Sequence, residues 1–87
     1  MRVVVIYKEF SDYVREVTEW IEEAERRSGI KIERIDPEAV EGETFCQARD
    51  IVQYPTIAVV DSDGKTYEQF SGTPLPQIDS VLAYMVS

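Results

Sequence analysis

Asp50-Ile51-Val52-Gln53-Tyr54-Pro55-Thr56-Ile57-Ala58-Val59-Val60-Asp61-Ser62-Asp63-Gly64-Lys65-Thr66-Tyr67-Glu68-Gln69-Phe70-Ser71-Gly72 decides the fold. It reads as a helix end, a proline kink, a strand, a tight turn, a second strand and a glycine stop. Proline fixes its own φ and pushes the preceding residue out of helical space, so Tyr54-Pro55 ends the helix before it. At the head of a strand, Pro55 sacrifices no central ladder hydrogen bond. Thr56 to Val60 is largely apolar and β-branched, as a strand buried on both faces is. In Asp61-Ser62-Asp63-Gly64, the glycine supplies the positive φ of a hairpin turn. The outgoing strand alternates, with Thr66, Glu68 and Phe70 expected on one face and Tyr67 and Gln69 on the other.

Upstream, residues 2–7 are almost uninterrupted Val and Ile, a second strand covered on both faces. Ser11 is expected as an N-cap with Asp12 just inside a helix. Val14, Val17, Ile21 and Ala24 form its apolar stripe, which Tyr13 and Trp20 widen, and Gly29 stops it. Residues 31–36 alternate, as a strand nearer a sheet edge does. Residues 37–42 read as an acidic loop and residues 44–51 as a short helix carrying Phe45, Ala48 and Ile51. After Gly72, residues 76–85 read as a last helix facing the sheet through Ile78, Val81, Leu82 and Met85. The order is strand, helix, strand, helix, hairpin, helix. A strand–helix–strand unit makes its strands parallel through a right-handed crossover, and the hairpin adds an antiparallel strand. The expected product is one α/β domain over residues 1–87, a four-stranded mixed sheet with helices on both faces.

Composition narrows the function. The 87 residues are 44% hydrophobic and 30% charged, with a formal net charge of −8 and no histidine. That charge repels a phosphate backbone, and the nearest basic group, Arg26, Arg27, Lys31 and Arg34, is interspersed with Glu25 and Glu33. Nucleic acid is not an expected partner. No apolar run approaches the roughly 20 residues of a membrane span. The opening residues lack the long apolar region and small-residue cleavage site of a signal peptide, so a cytoplasmic protein is expected. The one cysteine, Cys46, excludes an internal disulfide and a Cys-x-x-Cys pair within this chain. Lack of histidine removes the commonest general base and zinc ligand.

The element order, with Ile51-Val52-Gln53-Tyr54-Pro55-Thr56 leading into the third strand and Phe70-Ser71-Gly72 before the last helix, resembles the thioredoxin-like superfamily in its short, glutaredoxin-sized form. The likeness runs from Val3 to Met85. It implies a cis bond at Tyr54-Pro55. It also implies that redox-active relatives would carry at least one cysteine between the first strand and first helix. The positions there are Ser11 and Val14, or Phe10 and Tyr13 in a register shifted by one. Neither supplies sulfur, and Asp12 adds negative charge where an anionic nucleophile would sit. The buried aspartate of thioredoxins falls among Val4-Val5-Ile6. Thiol–disulfide exchange is therefore not expected.

Two sites are candidates. In relatives the main chain beside the cis-proline pairs with an extended peptide or glutathione, so the resemblance implies a peptide cleft of Phe10, Ser11, Tyr54, Pro55, Thr56, Ser71 and Gly72. Against it stands the reading that Pro55 only shapes the backbone and the aromatics fill core. Cys46 is the other, as a regulatory or monothiol cysteine, against a small semi-buried residue of the second helix. The acidic residues Asp36, Glu38, Glu41 and Glu43 match no EF-hand spacing and read as a solvated loop. Ser11 has no histidine to activate it. The expectation is a redox-inactive thioredoxin-fold module binding an unknown protein or peptide, without cofactor or metal, as a monomer or weak homodimer. The alternatives are a thiol-responsive protein acting through Cys46 and a small structural or oligomerising subunit.

Overall fold

The computed structural model describes residues 1–85. Its elements run β1 (Arg2–Ile6), α1 (Val14–Ser28), β2 (Glu33–Ile35), α2 (Val40–Ala48), β3 (Thr56–Val60), β4 (Thr66–Ser71) and α3 (Ile78–Leu82). The sheet order is β2-β1-β3-β4, with β1 and β2 parallel and β3 antiparallel to both β1 and β4. The chain is thus an α/β fold built on a four-stranded mixed sheet.

The two continuous apolar runs became the two central strands because only there is each face covered. Val3, Val5 and Tyr7 of the β1 segment join Ile57 and Val59 against Val17, Trp20, Ile21 and Ala24 of α1 and Val81 of α3. Val4 and Ile6 join Ala58 and Val60 on the opposite face, against Cys46 of α2 and Ile51. Register makes the alternation consistent, with Val4 opposite Ala58 and Val5 opposite Ile57. The Trp20 indole N–H donates to the Pro76 carbonyl at 2.8 Å and ties α1 to the segment before α3. Gly29 ends α1 in the left-handed region at φ 71°.

Several boundaries differ from the sequence reading. Ser11 does not cap α1. Its hydroxyl donates to the Lys8 carbonyl at 2.6 Å, Tyr13 takes the N-cap position without a side-chain cap bond, and the helix begins at Val14. The second helix starts at Val40, inside the expected loop, and ends at Ala48. Asp36 starts it: its carboxylate accepts from the Glu38 N–H at 2.9 Å and its carbonyl from the Ala39 N–H at 3.2 Å. Asp50 ends it, adopting φ 57° while the Ile51 N–H reaches back to the Cys46 carbonyl at 2.9 Å, a Schellman closure. β2 is shorter than expected, and α3 is limited to five residues. β4 is paired across an irregularity at Val59/Val60 that sets Thr66 opposite Val60. An extra residue reverses the alternation, so Thr66 lies beside Ala48 and Arg49, whereas Glu68 and Phe70 keep to the α1/α3 side.

Candidate functional site

Strand register brings the expected cleft residues to one end of the sheet. Ile6, the last residue of β1, stands opposite Thr56, and Thr56 stands opposite Ser71. The loop carrying Phe10 and Ser11, the Tyr54-Pro55 approach to β3, and Gly72 therefore meet at one edge. The Gly72 N–H donates to the Pro55 carbonyl at 2.8 Å, closing the side toward β4. The Tyr54-Pro55 and Thr73-Pro74 peptide bonds are both cis.

The side chains divide sharply by exposure. Pro55 and Thr56 are buried, and the Thr56 hydroxyl donates inward to the Gln53 carbonyl at 2.6 Å. Thr56 offers no side-chain surface to a ligand. Phe10 is 97% exposed and touches no core cluster, and Val52 is 79% exposed. Tyr54 is half-buried against the α2-side core. The Lys8 ammonium lies 5.4 Å from its ring centre, within cation–π range. The Lys8 N–H donates to the Tyr13 hydroxyl at 3.1 Å, which holds this loop across the start of α1.

Between Pro55 and α2, the chain returns to the sheet through residues 50–54. No main-chain hydrogen bond among the described residues uses the N–H groups of Val52, Gln53 or Tyr54. Unpaired N–H donors are part of what a sheet edge presents to an added strand. Beside it lies a groove of about 400 Å³ lined by Glu43, Cys46, Gln47, Asp50, Val52 and Tyr54, among others.

Cys46 sits beneath that groove, 4% exposed. Burial pushes its thiol up from the ordinary range, and hydrogen bonding with the Tyr54 hydroxyl and the Arg49 guanidinium charge pull it back only in part. Burial also raises the Tyr54 phenol, with Cys46, Tyr13 and Glu43 adding to the shift. Sequence reasoning missed Lys8, Tyr13, Val52 and Arg49. Only Arg49 carried a local signal, since a basic residue at a helix C-terminus is placed to meet the last carbonyls. It donates to the Phe45 carbonyl at 3.3 Å, and also to the Gly64 carbonyl at 2.7 Å. Among the described residues no group of three His, Cys, Asp or Glu side chains is placed to hold a metal ion, and no helix is long and apolar enough to cross a membrane.

This architecture is that of the thioredoxin-like fold. The chain superposes on thioredoxin 1 from the thermophilic eubacterium Thermosipho africanus with a TM-score of 0.71 and 16% identity, covering 98% of this chain and 90% of that one. It superposes on oxidised thioredoxin O2 from Arabidopsis thaliana with a TM-score of 0.78 and 13% identity, covering 99% and 75%. No protein-family model and no curated protein sequence matches it. At these identities the likeness is one of fold.

Proposed function

We propose that this chain is a redox-inactive thioredoxin-fold module that binds an extended segment of a partner protein at the Pro55 end of its sheet. The observation that carries the reading is the set of unpaired main-chain N–H groups of residues 52–54, with Phe10 exposed at the same end. A peptide added there satisfies backbone donors and covers apolar surface that the fold leaves in water. Redox inactivity rests on the single, buried Cys46 with its raised pKa, since attack on a disulfide requires an accessible thiolate. The module is a monomer or weak homodimer in this reading. A cytoplasmic location suits a thiol kept free in a reducing compartment.

The test is a selection of displayed random peptides on the immobilised chain, followed by amide NMR mapping of those recovered. Shifts concentrated at residues 52–56, in the loop after β1 and at Gly72 are the expected result. Peptides that perturb only the outer face of α1, or a selection that recovers none, would refute the cleft. Insulin reduction by dithiothreitol should proceed at its uncatalysed rate in the presence of the chain. Acceleration would refute redox inactivity, and sedimentation of a stable dimer would favour the oligomerising alternative.

A further inference from the structure

We propose that the groove between α2 and residues 50–54 receives the lysine or arginine side chain of the bound segment. This rests on the peptide-binding reading and specifies its partner as an extended strand with a basic residue between apolar ones. The groove is lined by the apolar side chains of Cys46, Ile51, Val52 and Tyr54 and by two carboxylates, Glu43 from α2 and Asp50 from the returning segment. A long methylene stem ending in a cation matches that mixture, with the stem along the apolar lining and the head at the carboxylates.

Charge complementarity points the same way. Every ion pair among the described residues draws its cation from Arg2, Arg15, Arg26, Arg27 or Arg34, on β1, α1 and β2. None reaches Glu43 or Asp50. Arg49, next to Asp50 in the chain, has its guanidinium on the Phe45 ring, 3.8 Å from the centre, and on the Gly64 carbonyl. Residues 7–13, 36–44, 49–56 and 72–77 hold seven carboxylates and two basic residues, Lys8 and Arg49, so these segments carry −5 of the chain's −8. An acidic or neutral side chain in the groove leaves that field unanswered, whereas a cation answers it and is drawn in from a distance.

Three synthetic nine-residue peptides of alternating leucine and serine, differing only in a central lysine, glutamine or glutamate, test the choice. Each is titrated into the isotope-labelled full chain, and affinity is read from amide shifts. The lysine peptide should bind about tenfold more tightly than the glutamine peptide, and the glutamate peptide more weakly still. Its shifts should include Glu43, Asp50 and Val52, and added salt should reduce the difference. Combining Glu43→Gln with Asp50→Asn should bring lysine and glutamine to within about twofold. Both changes preserve size, and asparagine tolerates the left-handed backbone at position 50. Equal affinity of all three at residues 52–54 overturns the basic preference and leaves the cleft standing. Lysine-peptide shifts elsewhere, or no binding, also overturn it, and the display selection then judges the cleft separately.

Discussion

At the residue scale, Cys46 shows how burial sets chemistry. Its sulfur lies in the α2-side core with Val4, Ile6, Ile51, Ala58 and Val60, and burial favours the neutral thiol. The folded pKa therefore lies above the unfolded value of about 8.5. The fold keeps a proton that the unfolded chain releases. This contribution to stability is fully present below the unfolded pKa and is lost as pH rises through the folded one. The Tyr54 and Tyr84 phenols, raised first by burial, shift the same way from their higher starting value. The urea midpoint should thus hold steady from neutral pH to about 8.5 and decline beyond it. Cys46→Ala should remove the first part of that decline. If the variant falls just as steeply just above pH 8.5, burial of the thiol is not the cause. In the native chain, iodoacetamide at neutral pH should also react at least about tenfold more slowly than in urea-unfolded chain. Thr56 and Phe10 give the opposite lesson about reading single residues. Both belong to the cleft by register and resemblance, yet one is wholly buried and the other almost wholly exposed. Residue type does not announce that difference, because it depends on what the neighbouring loop covers.

At the scale of elements, α2 makes few apolar contacts, chiefly through Cys46 and Phe45. Only Gly42 and Cys46 of its nine residues are buried, and Val40 is 82% exposed. A helix with so little apolar stripe leaves almost no periodicity to read, which is why the sequence placed its start four residues late. By contrast, α1 was legible because Val17, Ile21 and Ala24 repeat at helical spacing, and β3 because proline and turn residues bracket a largely β-branched run. What the sequence withheld about α2 is a close approach. A Cβ on Gly42 would stand 1.8 Å from the Asp36 carbonyl oxygen and 3.0 Å from the Ile35 side chain. Gly42→Ala must push the first turn of α2 off the end of β2, with an expected loss of about 1–3 kcal/mol in urea unfolding. Gly29→Ala is the contrasting change. Nothing lies within 4 Å there, and only the left-handed backbone at φ +71° resists a side chain, an expected cost of about 1–2 kcal/mol. The two are separated by amide shifts. Gly42→Ala should move residues 35–39 and the α2 face of the sheet, while Gly29→Ala should stay local. A Gly42→Ala chain with native shifts and stability would refute the contact. Arg49 fastens the other end of α2 through the Gly64 carbonyl, fifteen residues away, a link no local pattern encodes.

On the scale of the whole molecule, the two faces of the sheet are unequal. One is covered by α1 and α3 through Val17, Trp20, Ile21, Ala24 and Val81, with half-buried Phe70, Leu75 and Ile78 packed against them. The other is covered by Cys46 and Ile51, with Phe45 and Tyr54 partly buried beside them. Both layers rest on alternate residues of β1 and β3, so neither face survives loss of the central strands. The thinner layer, however, can lift while the sheet and the α1 face persist, since local opening costs least where little apolar area is released. That layer also carries Glu43, Tyr54 and the returning segment 50–54, so the proposed peptide groove lies on the part of the molecule most easily opened. The sequence made the two-faced burial of the central strands plain, but not this imbalance, which depends on where α2 begins and how few of its side chains point inward. Two internal probes measure it. Trp20, 8% exposed, reports the α1 face by fluorescence, and the Cys46 thiol reports the α2 face by its rate of modification under native conditions. In low urea, the opening free energy from Cys46 should fall below the global value from Trp20 fluorescence, with a shallower urea dependence because less surface is exposed. Arg49→Ala, which frees α2 from the hairpin turn, should lower the Cys46 opening energy more than the global one. Coincident energies and slopes for the two probes, in the native chain and in the variant, would mean that both faces open only together.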